Sequence, residues 1–224
     1  MAQRLALAVG LAGLWACAPV PASTSPRPAA VTAAPQESGQ AMIAAGLGSL
    51  KQDDIGLRVS LAGLDVRAIP LDESIIRTLS PDSYRSLHEL VVSQRSVVTT
   101  VERRTGFPTL SLWYVSFFGT EQGEVRFSPM EMVVTSVGRD FRPLEVVPLT
   151  PGFGSQRLRQ RESQSALYIF EGQVDVNQPL SLQYETAVSQ EWPQILERIE
   201  RERVLIRSRA RARPAPKGQA GASR

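Results

Sequence analysis

The sequence predicts a mainly β domain with helical additions: an antiparallel β-sandwich carrying one long inserted helix and one C-terminal helix. Three observations predict it. Short stretches of alternating apolar residues recur between Ile55 and Val188, separated by turn-forming clusters such as TEQGE, VGRD, TPGFGSQ and EGQVDVNQP. One stretch, between Ser80 and Gly106, changes to the 3.6-residue period of a helix. Strand and helix patterns do not alternate along the chain, which argues against a doubly wound parallel sheet.

Taken in order, the elements justify themselves locally. In Ile55 to Ile69, the residues Ile55, Leu57, Val59 and Leu61 share one face; after Ala62 and Gly63 the phase flips to Leu64, Val66 and Ala68, as in a bulged strand or a tight hairpin. Ser80 suits an N-cap, Pro81 the first helical position and Asp82 the positive end of a helix, while Arg103, Arg104 and Gly106 suit its close. The stripe Tyr84, Leu87, Val91, Val98 and Val101 then predicts one amphipathic helix over 81–104, frayed or kinked across Ser93 to Val98, where β-branched residues weaken it. Leu110 to Gly119 is apolar on both faces, so it predicts a central strand covered twice. Further strands are expected at Val125–Phe127, Met130–Thr135, Phe141–Leu149, Ala166–Phe170 and Leu180–Val188. Trp192, Ile195, Leu196, Ile199 and Ile206 make the apolar stripe of a C-terminal helix over 191–209, started near Pro193.

The N-terminus reads as an address. Arg4 and the uncharged apolar run Leu5 to Trp15 have the charge and length of an export signal, and the run is too short to cross a bilayer. At its end LWAC, Leu14 to Cys17, resembles the lipobox of bacterial lipoproteins, with Trp15 bulkier than the pattern usually carries. The resemblance implies a signal over 1–16 and a Cys17 that is diacylated on sulfur, becomes the new N-terminus and holds the protein on a membrane. Ala18 after that cysteine, rather than Asp, implies the outer membrane by the same likeness. Ordinary signal cleavage after Ala22, at VPA, is the competing reading and gives a secreted or periplasmic protein. Cys17 is the chain's single cysteine, and its place just behind the apolar run favours the lipoprotein. Residues 17–52 then read as a Pro-, Ala- and Ser-rich tether without an apolar face, and 53–190 as the sandwich domain. Lipobox, tether and small sandwich with an inserted helix, in that order, resemble the layout of envelope lipoproteins with immunoglobulin-like domains. That resemblance implies architecture and carries over no functional residue.

The residue inventory narrows the chemistry. One histidine, His88, falls in the predicted helix and is expected at its flank, and no spacing of His, Cys and acids fits a metal site. No cofactor is expected. No Gly-x-Ser-x-Gly elbow accompanies His88, so a serine triad is disfavoured. Asp53, Asp54, Asp65, Asp72, Glu73, Glu121, Glu124 and Asp175 leave a carboxylate-dependent, glycan-acting envelope hydrolase as the alternative function. In TPGFGSQRLRQRE, Gly152 and Gly154 flank Phe153 ahead of Arg157, Arg159 and Arg161; a flexible loop feeding an edge strand is favoured over an anion site. Trp113, Tyr114, Phe117 and Phe118 are read as core rather than a ligand groove.

Charge is unevenly spread. Residues 5–200 carry 16 basic against 21 acidic residues and residues 201–224 carry 8 against 1; with Arg4 these give the overall +3. Arg207, Arg209, Arg211 and Arg213 are candidate polyanion binders in a tail that is expected to be disordered over 210–224 and dispensable for folding from about Ser208. The favoured reading is a noncatalytic envelope lipoprotein whose sandwich or tail meets an envelope protein, a glycan or an anionic surface, without specific nucleic acid binding.

Overall fold

The phase flip at Ala62 and Gly63 is a hairpin. After a short helix α1 (Gln52–Ile55), strand β1 (Leu57–Leu61) pairs antiparallel with β2 (Leu64–Pro70). Leu61 faces Leu64 across the two-residue turn, where Gly63 takes a φ of +75°. The computed structural model describes residues 43–172 and 174–212, so the signal, Cys17, most of the tether and Arg213 lie outside the described residues.

The chain leaves β2 through α2 (Glu73–Ile76), capped by Asp72, whose carboxylate accepts the Ser74 N–H at 2.8 Å. The helix expected as one piece is two, α3 (Pro81–Ser93) and α4 (Arg95–Thr105), divided at Gln94 with φ −95° and ψ 5°. The break falls just before the β-branched run Val97 to Val101. Leu87 and Val101 are buried, and Tyr84, Val91 and Val98 pack partly against the core. The Ser80 hydroxyl donates to Ser83 rather than capping the backbone.

The remaining strands are β3 (Leu110–Gly119), β4 (Glu124–Arg126), β5 (Met132–Ser136), β6 (Arg139–Phe141), β7 (Glu145–Pro148), β8 (Arg157–Arg159), β9 (Ser163–Glu171), β10 (Leu180–Tyr184) and β11 (Ala187–Ser189). They form a five-stranded sheet in the order β1-β2-β3-β9-β7, a four-stranded sheet in the order β11-β10-β5-β6, and a two-stranded ribbon of β4 and β8. Every strand pair is antiparallel, as an antiparallel sandwich requires.

Two expected strands are each divided. Phe141–Leu149 is broken at Arg142–Leu144, where Pro143 cannot donate a ladder hydrogen bond and the chain passes from one sheet to the other. Leu180–Val188 is a hairpin turning at Glu185, φ 51°, and Thr186; the turn reverses the phase, leaving Val188 exposed and Ser189 buried.

Between the sheets, Trp113, Val115 and Phe117 of β3 are wholly buried. Phe117 stacks on Phe127 with centroids 4.5 Å apart and meets Tyr184 edge-on at 5.6 Å. The buried phenols are satisfied: Tyr168 donates to the Pro129 carbonyl at 2.8 Å, and Tyr184 accepts the Ser128 N–H at 2.8 Å. Burial pushes both phenol pKa values upward.

Helix α5 (Trp192–Ala212) outlasts its predicted end at 209 and runs into the segment expected to be disordered. Trp192, Ile195, Ile199 and Ile206 are buried as the stripe predicted, and two charged residues, Glu202 and Arg203, complete the buried face. Arg203 donates to the Ser74 carbonyl at 2.9 Å and to Asn177 Oδ1 at 3.2 Å. Glu202 accepts the Ser49 N–H and hydroxyl, both at 2.9 Å, and Arg209 Nη1 at 2.7 Å. The N-terminal stretch is thereby part of the fold. Arg209 also donates to the Leu47 carbonyl at 2.7 Å, Arg77 to the Ile43 carbonyl at 3.2 Å, and Leu50 bridges Leu79. The folded unit therefore starts by Ile43, ahead of the expected boundary at Asp53. Among the described residues no helix is long and apolar enough to cross a membrane.

Candidate binding groove

Alternation along the five-stranded sheet sends every second side chain to its outer face. The register aligns these side chains into two rows that cross four strands. In the first, Arg58 of β1 stands opposite Arg67 of β2, then Ser116 of β3 and Ser165 of β9; in the second, Ser60 stands opposite Asp65, then Phe118 and Ser163. All of these side chains except Ser165, whose hydroxyl is bonded to Thr150, line an open groove of about 330 Å³.

The first row sets two like charges directly across a strand pair, an arrangement that is repulsive on its own. Helix α1 offsets it. Asp53 takes Arg58 Nη2 on Oδ2 at 3.1 Å and Arg67 Nη1 on Oδ1, so one carboxylate bridges both guanidiniums. Gly56 lets α1 sit this close: a Cβ there would lie 3.2 Å from Arg67 Cγ, over which the helix end passes. The bridge sits in solvent, with the side chains of Arg58 56% and Asp53 57% exposed and that of Arg67 29%. Two cations share one anion there, and most of their N–H donors are not engaged by Asp53.

The groove has a closed end and an open end. Ile69, Leu167 and Ile169 on the outer face are buried, and Leu112 and Tyr114 are half-buried, whereas Phe118 is 39% exposed. β3, expected to be covered on both faces, is therefore bare on its outer face at Phe118. Past Asp53 and Arg58, a second hollow of about 500 Å³ continues toward Glu191 and Arg198 at the start of α5.

The residues singled out by sequence are placed as follows. Trp113 and Phe117 belong to the core, Tyr114 is half-buried and Phe118 lies in the groove. Of the eight candidate acids, Asp53 bridges the two arginines, Asp54 accepts the Lys51 N–H, Asp72 caps α2, Glu73 pairs with Arg77 and His88, Glu124 pairs with Arg157, and Asp175 accepts the Asn177 N–H. Asp65 and Glu121 make no ion pair among the described residues, and Asp65 lies in the groove.

His88 is at the helix flank, its ring stacked on Tyr84 with centroids 5.3 Å apart and its Nδ1 2.7 Å from Glu73 Oε1. Burial raises the Glu73 pKa, but hydrogen bonds from Arg77 at 2.6 Å and from His88 outweigh it and leave the carboxyl below its ordinary value. Among the described residues no cluster of three or more His, Cys, Asp or Glu is placed to hold a metal ion. The glycine loop is tied down by Phe153, which is buried against Phe117 and Phe127, and it leads into β8 as an edge strand expected from sequence. Of the candidate polyanion binders, Arg207 and Arg211 are exposed on α5, and Arg209 is committed to Glu202 and Leu47.

Sequence reasoning missed the groove's own residues, Arg58, Ser60, Arg67, Ser116 and Ser163. Half of the signal is local: the alternation that places Leu57, Val59, Leu64 and Val66 inward places Arg58, Ser60, Asp65 and Arg67 together on the other face. No family model matches the chain, and neither a curated protein nor a solved structure matches it.

Proposed function

We propose that this chain is a noncatalytic envelope lipoprotein, held on the outer membrane through Cys17, whose sandwich is a binding module that presents its outer sheet face to a partner. The observation that carries the binding half is the groove. A sheet whose inner face is fully packed exposes, on its other face, two ordered rows of charged and hydroxyl side chains beside a partly bare aromatic ring. Such a face is a recognition surface, because convergent polar groups around an apolar contact are what fix the orientation of a ligand.

The anchoring half rests on the sequence LWAC, with Cys17 placed directly behind the apolar signal run. The folded unit supports it by starting from a fixed root, since Ile43, Leu47, Ser49 and Leu50 are all bonded to the body of the domain. A diacylated N-terminus gives stable membrane association where a single chain would not.

Fractionation of cells producing the full chain tests this reading. The parent should sediment with membranes, and Cys17→Ser should shift to the soluble fraction or accumulate as unprocessed precursor. Mass spectrometry of the mature N-terminus supplies the second readout. An unlipidated chain beginning at Ser23 would overturn the lipid anchor and leave a secreted or periplasmic protein.

A further inference from the structure

The chemistry of the groove selects among partners. We propose that the groove formed by Arg58, Arg67, Asp65, Ser116, Phe118 and Ser163 binds an acidic saccharide, a sugar chain bearing carboxylate groups. This rests on the sandwich being a binding module and does not require the lipid anchor.

The cationic row supplies the charge recognition. Arg58 and Arg67 lie opposite each other on neighbouring strands, and Asp53, their one counter-ion among the described residues, is itself more than half exposed. A ligand carboxylate can displace Asp53 or join it, and the planar forks of two guanidiniums match carboxylate geometry better than any neutral group. A second row beginning one side-chain repeat away supplies sugar recognition. Asp65 is an acceptor without an ion pair among the described residues; Ser60 and Ser163 donate and accept; Phe118 offers an exposed ring to the apolar face of a pyranose. These groups recur across strands at about 4.8 Å, close to the length of one sugar residue.

The second hollow shares Asp53 and Arg58, but Asp54 and Glu191 also line it and Arg198 is paired with Asp54, so the saccharide is seated in the first groove alone. A single small anion would need neither the hydroxyl row nor the ring. An acidic peptide would use the arginines and its backbone amides would reach the hydroxyl row, but glutamate side chains present no flat apolar face to the Phe118 ring.

The test is a calorimetric titration of the full chain, solubilised in detergent, with a galacturonic acid oligomer, its methyl ester, inorganic phosphate and a glutamate oligomer. The acidic saccharide should bind at least about tenfold more tightly than each of the others, the loss expected when one charge-assisted contact is removed. Arg67→Gln should lower that affinity about tenfold or more, and Phe118→Ala severalfold, while Asp53→Asn, which frees both guanidiniums, should raise it. Asp53→Asn keeps the test decisive should Arg67→Gln fold poorly. Equal binding of the methyl ester, equal binding of phosphate or of the glutamate oligomer, or no binding by the folded parent would each overturn the acidic saccharide. Membrane fractionation of Cys17→Ser reads the anchor separately, so failure of one reading does not masquerade as failure of the other.

Discussion

Arg209→Ala separates the tail read from sequence from the tail seen in the fold. By composition, the chain beyond Ser208 has no apolar face and should be dispensable. In the structure Arg209 bonds Glu202 Oε1 and the Leu47 carbonyl, both at 2.7 Å, and Glu202 is 5% exposed at its side chain. Removing one member of a buried ion pair costs about 3–5 kcal/mol. Two features reduce that figure. The Arg209 side chain is 42% exposed, and Glu202 keeps its two hydrogen bonds from Ser49.

With that discount the expected loss is about 1.5–2.5 kcal/mol. For a domain of this size each kcal/mol moves Tm by roughly 2–4 °C, so the variant should melt about 3–10 °C below the parent. Thermal unfolding followed by circular dichroism measures it. A double-mutant cycle with Glu202→Gln should show a coupling of about 1 kcal/mol or more, because the two side chains are in direct contact. A chain ending at Arg207 should lose as much as Arg209→Ala. If both shortened and substituted chains melt within 1 °C of the parent, the clasp contributes nothing and the composition-based expectation stands.

Two further perturbations follow from local geometry. Glu73 has a folded pKa below its ordinary value of 4.5, so its contribution is fully present above that pH and is lost as pH falls through the depressed value. Glu73→Gln should therefore be less stable than the parent near neutrality, with the difference shrinking toward zero in acid; a difference that is constant in urea titrations from neutral to acid pH would refute the linkage. Val137 and Gly138 turn the β5–β6 hairpin with φ of 51° and 73°, and Val137, β-branched and 75% exposed, is strained there. Val137→Asn should raise stability by about 1 kcal/mol, read as a higher Tm, and an unchanged or lower Tm would show that no strain is relieved.

What the sequence disclosed was local, and what it hid was paired. The β1–β2 hairpin is legible because the change of phase at Ala62 and Gly63 marks the turn and both flanking runs alternate cleanly. The weakness between α3 and α4 is legible too, since β-branched residues crowd the chain just after Gln94. The hairpin of β10 and β11 was hidden: Thr186 continues the alternation begun at Leu180, and nothing in Glu185 announces the left-handed backbone that ends it. The groove was half hidden for a related reason. Arg58 and Arg67 can be assigned to one face from their own strands, but Ser116 and Ser163 join them only through register between segments far apart in sequence. Asp53 stood out merely as an acid, since its bridging role depends on the approach of α1 over Gly56. The clasp was the least legible feature, because Ser49 and Glu202 lie 153 positions apart and a buried glutamate reads in sequence as a solvated one.

The rooting of residues 43–50 also decides how the domain meets mechanical load. A pull delivered through the N-terminal chain reaches Ile43 and is opposed first by the hydrogen bond from Arg77, then by the Arg209 and Glu202 contacts at Leu47 and Ser49, and then by the Leu50–Leu79 bridge. These contacts yield one after another before force arrives at β1. The β1–β2 hairpin lies downstream of all of them, so under such a pull its outer face keeps its register until the last of them has parted.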